Sequence, residues 1–157
     1  MNWFLNNREV IKNFAFNTGT NENPSFTSMC TATELSLNQE FDEQTFYTFC
    51  DAIQRTIKTG VALSIEGTIK LDMNNDALIS ILDDIHTLLS DGEIAQFNNK
   101  LIQFDLLTGV NNGVLEYTTY QVPVSYSLEA IGGASEDVAE FGITVNFNGK
   151  GTEVASV

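Results

Sequence analysis

The sequence is poor in proline, cysteine, histidine and positive charge. Its 157 residues include only 2 prolines, 2 cysteines and 1 histidine, and 7 basic residues stand against 21 acidic ones, for a net charge of −14. Because 43% of the residues are apolar and prolines are so few, a disordered or collagen-like chain is excluded. The shortage of Lys and Arg argues against binding nucleic acid through its phosphates, and the negative charge argues against an anionic membrane surface.

Long apolar runs are missing as well. No run approaches the ~20 apolar residues that cross a bilayer. The chain starts MNWFLNNREV, without the charged head and apolar body of a signal peptide. We therefore expect a soluble protein made in a cytoplasm, where Cys30 and Cys50 are free thiols that act as small hydrophobes.

Motifs for catalysis and for cofactor or metal binding are also missing. The chain has no G-x-S-x-G motif, no phosphate-binding loop and no cysteine with a plausible histidine partner. Asp72, Asn74 and Asp76 are spaced like the first ligands of a calcium loop, but Ala77 stands where that loop needs glycine. Capping of a following helix explains these acids better. His86, without partner ligands, is interpreted as a residue at the edge of that helix's apolar face. We predict a protein that is not an enzyme and has no cofactor.

Alternation of apolar and polar residues predicts most of the secondary structure. Strands are predicted over residues 26–33, 34–41, 61–71, 100–108, 114–128 and 141–147. In the fourth of these, Ile102, Phe104 and Leu106 are expected to point inward. The sequence GVNNG, residues 109–113, predicts a tight turn, and Pro123 predicts an edge or a bulge in the strand that follows.

One amphipathic helix is predicted over residues 76–90. Asn75 or Asp76 is placed to cap its start, and Gly92 is placed to end it. Asp83, Asp84 and Thr87 lie away from the apolar stripe and are expected to be solvated. The predicted buried stripe comprises Leu78, Ile81, Leu82, Ile85, Leu88 and Leu89. Strands joined as hairpins, with one helix, predict a mainly β protein: an antiparallel β-sandwich or barrel with one α-helix packed on its side.

The predicted organisation is an N-terminal arm over residues 1–25, a β-sandwich domain over residues 26–149 and a C-terminal tail over residues 150–157. The arm carries aromatic residues without a sustained period, which predicts that it docks on its own domain or on a neighbour. Residues 42–60 stay ambiguous on local pattern. Phe46, Cys50, Ile53 and Ile57 would share one helical face, yet the segment is rich in β formers.

Three segments resemble the major tail protein, or tail tube protein, of long-tailed phages with non-contractile tails. The ending SYSLEAIGGASEDVAEFGITVNFNGKG resembles that family's last strands and the loop between them. The segment TGVALSIEGTIKLDMNNDALISIL is similar to its strand, acidic helix cap and helix. The earlier segment FTSMCTATELSLNQEFDEQTFYTF resembles its opening strands and aromatic-rich extended loop. The resemblance favours extended structure in residues 42–60.

What the resemblance implies is a structural virion protein of the phage tail. Its subunits would self-assemble as hexameric rings stacked into a hollow tube, with a β-barrel around the lumen. The tube would enclose the tape measure protein, join other tail proteins, and let DNA pass during ejection without binding it specifically. Such a protein is made in the host cytoplasm and ends up in the virion, with no membrane partner.

Two sets of residues are candidates for this role. Aromatic residues in the arm and in residues 42–60 are predicted to contact neighbouring subunits: Trp3, Phe4, Phe14, Phe16, Phe46, Tyr47 and Phe49. A duct for DNA should repel phosphate, so some acids should face the lumen. The candidates are Glu34, Glu40, Asp42, Glu43 and Glu116.

Two alternatives stay open on the sequence. One is a carbohydrate-binding β-sandwich module, which needs exposed aromatic residues on one face, and only Tyr117, Tyr120 and Tyr126 come near that. The other is a tail terminator or an adaptor protein of a related injection machine.

Overall fold

The computed structural model describes residues 4–154. Within them, one antiparallel sheet has the strand order β2-β1-β5-β6-β7-β4-β3, with β8 paired to β6. The strands are β1 (Ile11–Asn17), β2 (Phe26–Ser28), β3 (Ala32–Thr48), β4 (Asp51–Lys70), β5 (Lys100–Asn111), β6 (Val114–Leu128), β7 (Glu140–Phe147) and β8 (Thr152–Val154). The helices are α1 (Asp76–Asp91) and the short α2 (Ala95–Asn98), and a 3-10 turn at Asn7–Glu9 precedes β1. The predicted class, mainly β and antiparallel with a helix packed on its side, is confirmed.

A single core lies on one face of this sheet. Alternate residues of the central strands are buried, as the pleat requires. They include Val122, Val124 and Tyr126 of β6 and Phe141, Ile143 and Val145 of β7. The sheet curls. Its curvature is seen in one groove that is lined by both Lys12 of β1 and Glu34 of β3, although these strands lie far apart in the strand order.

α1 begins and ends where the sequence predicts. The side chain of Asn75 accepts a hydrogen bond from the backbone N–H of Ala77 at 2.9 Å, and Gly92 takes the left-handed conformation that ends the helix. Leu78 and Ile81 are buried, but Leu88 is 37% and Leu89 80% exposed. The predicted stripe is therefore wrong in its last turn. Helical period identifies the apolar side of a helix but not where its packing partner ends.

The predicted β5–β6 hairpin is confirmed, but its turn is shorter than predicted, because residues 109–111 still pair with β6. Asn112 and Gly113 have φ values of 52° and 80° and form the two-residue turn between the strands. Ile102 and Phe104 are buried. Pro123 does not lie at an edge or a bulge, since β6 is a central strand.

A gap between neighbouring strands accommodates Pro123. Its carbonyl accepts from the N–H of Asn148 at 2.9 Å, so its ring nitrogen also faces the β7 side. On that side β8 pairs β6 as far as Gln121 and β7 pairs it from Val124 onward. The missing proline N–H therefore costs no ladder hydrogen bond.

The first strand lies inside the region predicted as an arm. β1 pairs with β2 and with β5, and Phe14 and Phe16 are 2% and 3% exposed in the core. Ile11–Asn17 is thus a strand of the domain sheet. No alternation of apolar and polar residues predicts this strand, because its pairing with β5 is irregular and shifts between Lys12 and Ala15.

Residues 42–60 are extended, as the resemblance favours. They form the outer part of the β3–β4 hairpin, which turns between Thr48 and Asp51. Both cysteines are free thiols, as expected, but both are exposed, so the expectation that they act as small hydrophobes is wrong. Among residues 4–154 no helix has the length and apolar character needed to cross a membrane.

Candidate assembly surface

The most unusual surface of the protein is the outer part of the β3–β4 hairpin, residues 41–61, which we call the ribbon. β7 pairs with β4 only from Ser64 to Lys70, so the ribbon extends beyond the rest of the sheet. Every ribbon side chain that the structure describes is exposed. In the part of the chain described, β3 pairs only with β4 along its length, which leaves both edges of the ribbon without a neighbouring strand. Open edges of this length are sites for pairing with another chain.

One face of the ribbon is apolar. Phe46 lies opposite Arg55, and Ile57 lies opposite Gln44, so Phe46 and Ile57 share a face that also carries Ile53. The exposed fractions of Phe46, Ile53 and Ile57 are 38%, 71% and 48%. Large apolar side chains concentrated on a small exposed area mark an interaction surface.

The other face continues the core side of the sheet. Alternation carries it from Ile65, which is fully buried, to Val61 and Phe41, which are 49% and 41% exposed. Val61 is therefore exposed although it lies on the same face as the buried Ile65. The ammonium of Lys58 lies 4.2 Å from the centre of the Phe41 ring, a cation–π contact.

The predicted contact residues divide into three groups. Phe46, Tyr47 and Phe49 lie on the ribbon, with Tyr47 66% and Phe49 fully exposed near its tip. Phe4 is 92% exposed ahead of β1, and Trp3 lies outside the described residues. The prediction of a contact with a neighbour is wrong for Phe14 and Phe16. Both side chains fill the core, where they stabilise the subunit itself and present no surface to a neighbour.

The predicted lumen acids are all exposed, but they do not share one face. Glu34, Glu40 and Asp42 alternate along β3 on the side away from the core, and Glu43 points to the opposite side. Glu116 lies on the face of β6 that carries the buried residues further along that strand. Only the first three share one face of β3, where Ser36 and Asn38 stand between Glu34 and Glu40.

A partly buried ionic cluster anchors the middle of α1. The ammonium of Lys100 lies 2.8 Å from a carboxylate oxygen of Asp84, and the hydroxyl of Tyr126 donates to the same carboxylate. Burial, the hydrogen bond to Asp84 and the negative charge of Asp84 together raise the pKa of Tyr126 well above its ordinary value. The expectation that Asp84 is solvated is therefore wrong, and no sequence signal joins these three positions.

The aromatic residues of the carbohydrate alternative do not form an open face. Tyr126 is 4% exposed and packs against Phe16 and Phe97. The hydroxyl of Tyr117 donates to the carbonyl of Glu9 at 2.6 Å. Tyr120 packs against Phe104. Their rings take part in packing inside the subunit.

The DMNND segment serves the helix, as interpreted. A carboxylate oxygen of Asp72 accepts from the backbone N–H of Asn74 at 3.0 Å, and the amide of Asn75 donates to the carbonyl of Ser28 at 2.7 Å. These bonds fix the connection between β4 and α1.

Among solved structures, the fold of this chain is similar to that of chains from tails and tubes. A chain of the SPP1 tail tube is 14% identical with a TM-score of 0.64, over 95% of this chain and 78% of that one. A chain from the tail of an empty gene transfer agent particle, with C6 symmetry, is 13% identical with a TM-score of 0.57, over 97% and 100%. A chain of the PVC sheath–tube complex, an extracellular contractile injection system, is 15% identical with a TM-score of 0.53, over 91% and 88%.

No protein-family model and no curated protein matches the sequence. The fold of this chain is that of the tail tube proteins.

Proposed function

We propose that this chain is the subunit of a phage tail tube, in which hexameric rings stack into a hollow tube through which DNA is ejected. The observation that carries the proposal is the ribbon, an exposed apolar hairpin with two open edges on a domain that has the tail tube fold. The C6 symmetry of the gene transfer agent tail supports six subunits per ring.

The ribbon suits self-assembly for a physical reason. Unpaired strand edges satisfy their N–H and C=O groups by adding a strand from another chain. When identical subunits pair edge to edge around a closed ring, every subunit gains a neighbour on both sides and no open edge is left. The aromatic side chains that we expect to become buried between subunits are those of Phe46, Tyr47 and Phe49 on the ribbon, and of Trp3 and Phe4 ahead of β1.

The acidic charge suits a conduit for DNA. The row formed by Glu34, Glu40 and Asp42 lies on the polar face of β3, and a net charge of −14 per subunit, repeated around rings, repels phosphate. We assign this row to the lumen, and not Glu43 or Glu116, whose side chains lie on the other face of the sheet. The tape measure protein and other tail proteins are the expected partners, the virion tail is the expected location, and synthesis is expected in the host cytoplasm.

Electron microscopy and light scattering of the purified protein at rising concentration test the proposal. We expect rings and tubes. Replacing Phe46 and Phe49 with serine should abolish them while the monomer stays folded. The matched control replaces Leu88 and Leu89, an exposed apolar pair on α1, with serine, and should still assemble.

Three results would contradict the proposal. A protein that stays monomeric at all concentrations is not a tube subunit. One that forms closed rings that never stack is a terminator or adaptor. Assembly that survives the Phe46 and Phe49 changes would show that the ribbon is not the contact.

A further inference from the structure

Asn-Gly pairs stand in two of the connections between strands, Asn112–Gly113 between β5 and β6 and Asn148–Gly149 between β7 and β8. Such a pair deamidates spontaneously more easily than other asparagine pairs, because glycine has no Cβ to hinder attack by its own amide nitrogen. That nitrogen attacks the side-chain amide carbon of the asparagine, and ammonia leaves as a five-membered succinimide ring closes. Water then opens the ring to aspartate or isoaspartate. The backbone decides whether the two atoms can meet.

The hairpin turn holds Asn112 away from the reactive geometry. Asn112 and Gly113 have φ values of 52° and 80°, the left-handed conformation of a two-residue turn. In this conformation the nitrogen of Gly113 points away from the Asn112 side chain across the Cα–C bond. Asn111 and Val114 pair on either side of the turn, so the peptide group cannot rotate without opening the end of the hairpin. The fold therefore protects Asn112.

No such restraint acts on Asn148. Residues 148–151 connect β7 to β8, and both Asn148 and Gly149 are exposed. The backbone N–H of Asn148 donates to the carbonyl of Pro123 at 2.9 Å. Within residues 4–154, however, the carbonyl of Asn148 and the N–H of Gly149 have no hydrogen-bond partner. The peptide group between these two residues can therefore rotate toward the asparagine side chain.

The connection that contains Asn148 is tightly packed at its other end. β8 has three residues, and in the described part of the chain it pairs only with β6. Just before it, the backbone of Gly151 lies against Tyr120 and Val122, since an added Cβ would stand 3.2 Å from a side-chain carbon of each. Isoaspartate routes the main chain through the side-chain carbon and makes it one atom longer. That additional length displaces Gly151 and, with it, β8.

We propose that Asn148 is a site of spontaneous deamidation, and that isoaspartate at this position releases β8 from β6. The reaction needs only water, gives off ammonia and adds one negative charge to the chain. Release of β8 frees the edge of β6 at residues 119–121, and a free strand edge can pair with another strand. This inference does not depend on the proposed function, because each of its steps takes place within one subunit.

Peptide mass spectrometry of the purified protein, incubated at mildly alkaline pH, tests the site. We expect aspartate and isoaspartate to accumulate roughly tenfold faster at position 148 than at position 112 in the folded protein, and at similar rates in urea. Gly149→Ala should slow only the reaction at position 148, and its methyl group would lie 3.4 Å from Pro123, an ordinary contact. Equal rates in the folded protein, or a faster reaction at position 112, would overturn the assignment.

Hydrogen exchange of residues 152–154 tests the release of β8. In the fraction that contains isoaspartate, we expect these amides to exchange roughly tenfold faster than before incubation. Asn148→Asp is the matched control, because it adds the same charge without lengthening the main chain, and it should keep β8 protected. Protection that persists with isoaspartate, or that is lost in Asn148→Asp, would show that isoaspartate does not release the strand. Urea denaturation verifies that each variant folds, and Asn148→Gln supplies a second slowly reacting variant.

Discussion

At the scale of single residues, two leucines of α1 show that membership of the apolar stripe does not by itself mean burial. Leu78 is fully buried and Leu89 is 80% exposed, although both belong to the same apolar stripe. We expect Leu78→Ala to lower the free energy of unfolding by about 2 to 5 kcal/mol, because it leaves a cavity in the core. Leu89→Ala should change it by less than ~0.5 kcal/mol. Urea denaturation measures both, and equal effects would show that the helix is not seated as described.

The raised pKa of Tyr126 predicts that the free energy of unfolding falls at alkaline pH. Its pKa is raised in the folded protein, whereas in the unfolded chain it ionises near its ordinary value of about 10. Below that pH both states hold the proton and the full stability is present. Above it the unfolded state gains from ionisation, so this residue's contribution falls by about 1.4 kcal/mol per pH unit.

The comparison of wild type with Tyr126→Phe measures this contribution. The variant loses the hydrogen bond to Asp84 and should be less stable at pH 8, but the gap should narrow as pH rises above ~10. Tyr47→Phe, at an exposed position, should follow the wild type across this range. A gap that stays constant would mean that Tyr126 is not held in the core.

At the scale of elements, β1 decides how the N-terminal region behaves. It lies between β2 and β5 and supplies Phe14 and Phe16 to the core. Deleting residues 1–16 should therefore unfold the subunit, whereas deleting residues 1–6, which precede the 3-10 turn, should leave it folded. Circular dichroism and urea denaturation decide this. A folded protein after the longer deletion would restore the interpretation of these residues as a dispensable arm.

The ribbon predicts a second element-scale result, in hydrogen exchange. A two-stranded hairpin without a third strand is marginally stable in water, so in the free subunit the ribbon should open far more often than the sheet. We expect the amides of residues 52–60 to exchange at least tenfold faster than those of β7, and to become protected in assembled tubes. If assembly leaves them unprotected, the ribbon is not buried between subunits.

At the scale of the whole molecule, the position of charge matters more than its sum. Replacing Glu34, Glu40 and Asp42 with lysine should leave assembly intact and make tubes retain duplex DNA at low salt, because the lumen then attracts phosphate. Replacing Asp83, Asp91 and Glu93 with lysine makes the same change in net charge near the exposed end of α1 and should retain far less. Cosedimentation of DNA with tubes measures the difference. Equal retention by both variants would place the β3 row outside the bore.

Local pattern was sufficient wherever the chain itself imposes the geometry. The cap at Asn75, the left-handed Gly92 and the turn at Asn112 and Gly113 follow from backbone chemistry within a few residues. The even alternation of β6 and β7 likewise reveals their buried faces. These features locate the helix, the β5–β6 hairpin and the antiparallel class.

Tertiary structure alone decided which apolar residues have a partner. Phe14 and Phe49 both lie in segments without a sustained apolar period, yet Phe14 is buried and Phe49 is fully exposed. The reason is that β1 has a neighbouring strand on each side, whereas the ribbon extends beyond the end of β7. The contact of Asp84 with Lys100 and Tyr126 joins α1, β5 and β6 across long sequence separations. Sequence determined α1, the β5–β6 hairpin, the buried faces of β6 and β7, and the overall charge. Only the packed sheet determined where strands end relative to one another, and that difference in length creates the exposed ribbon.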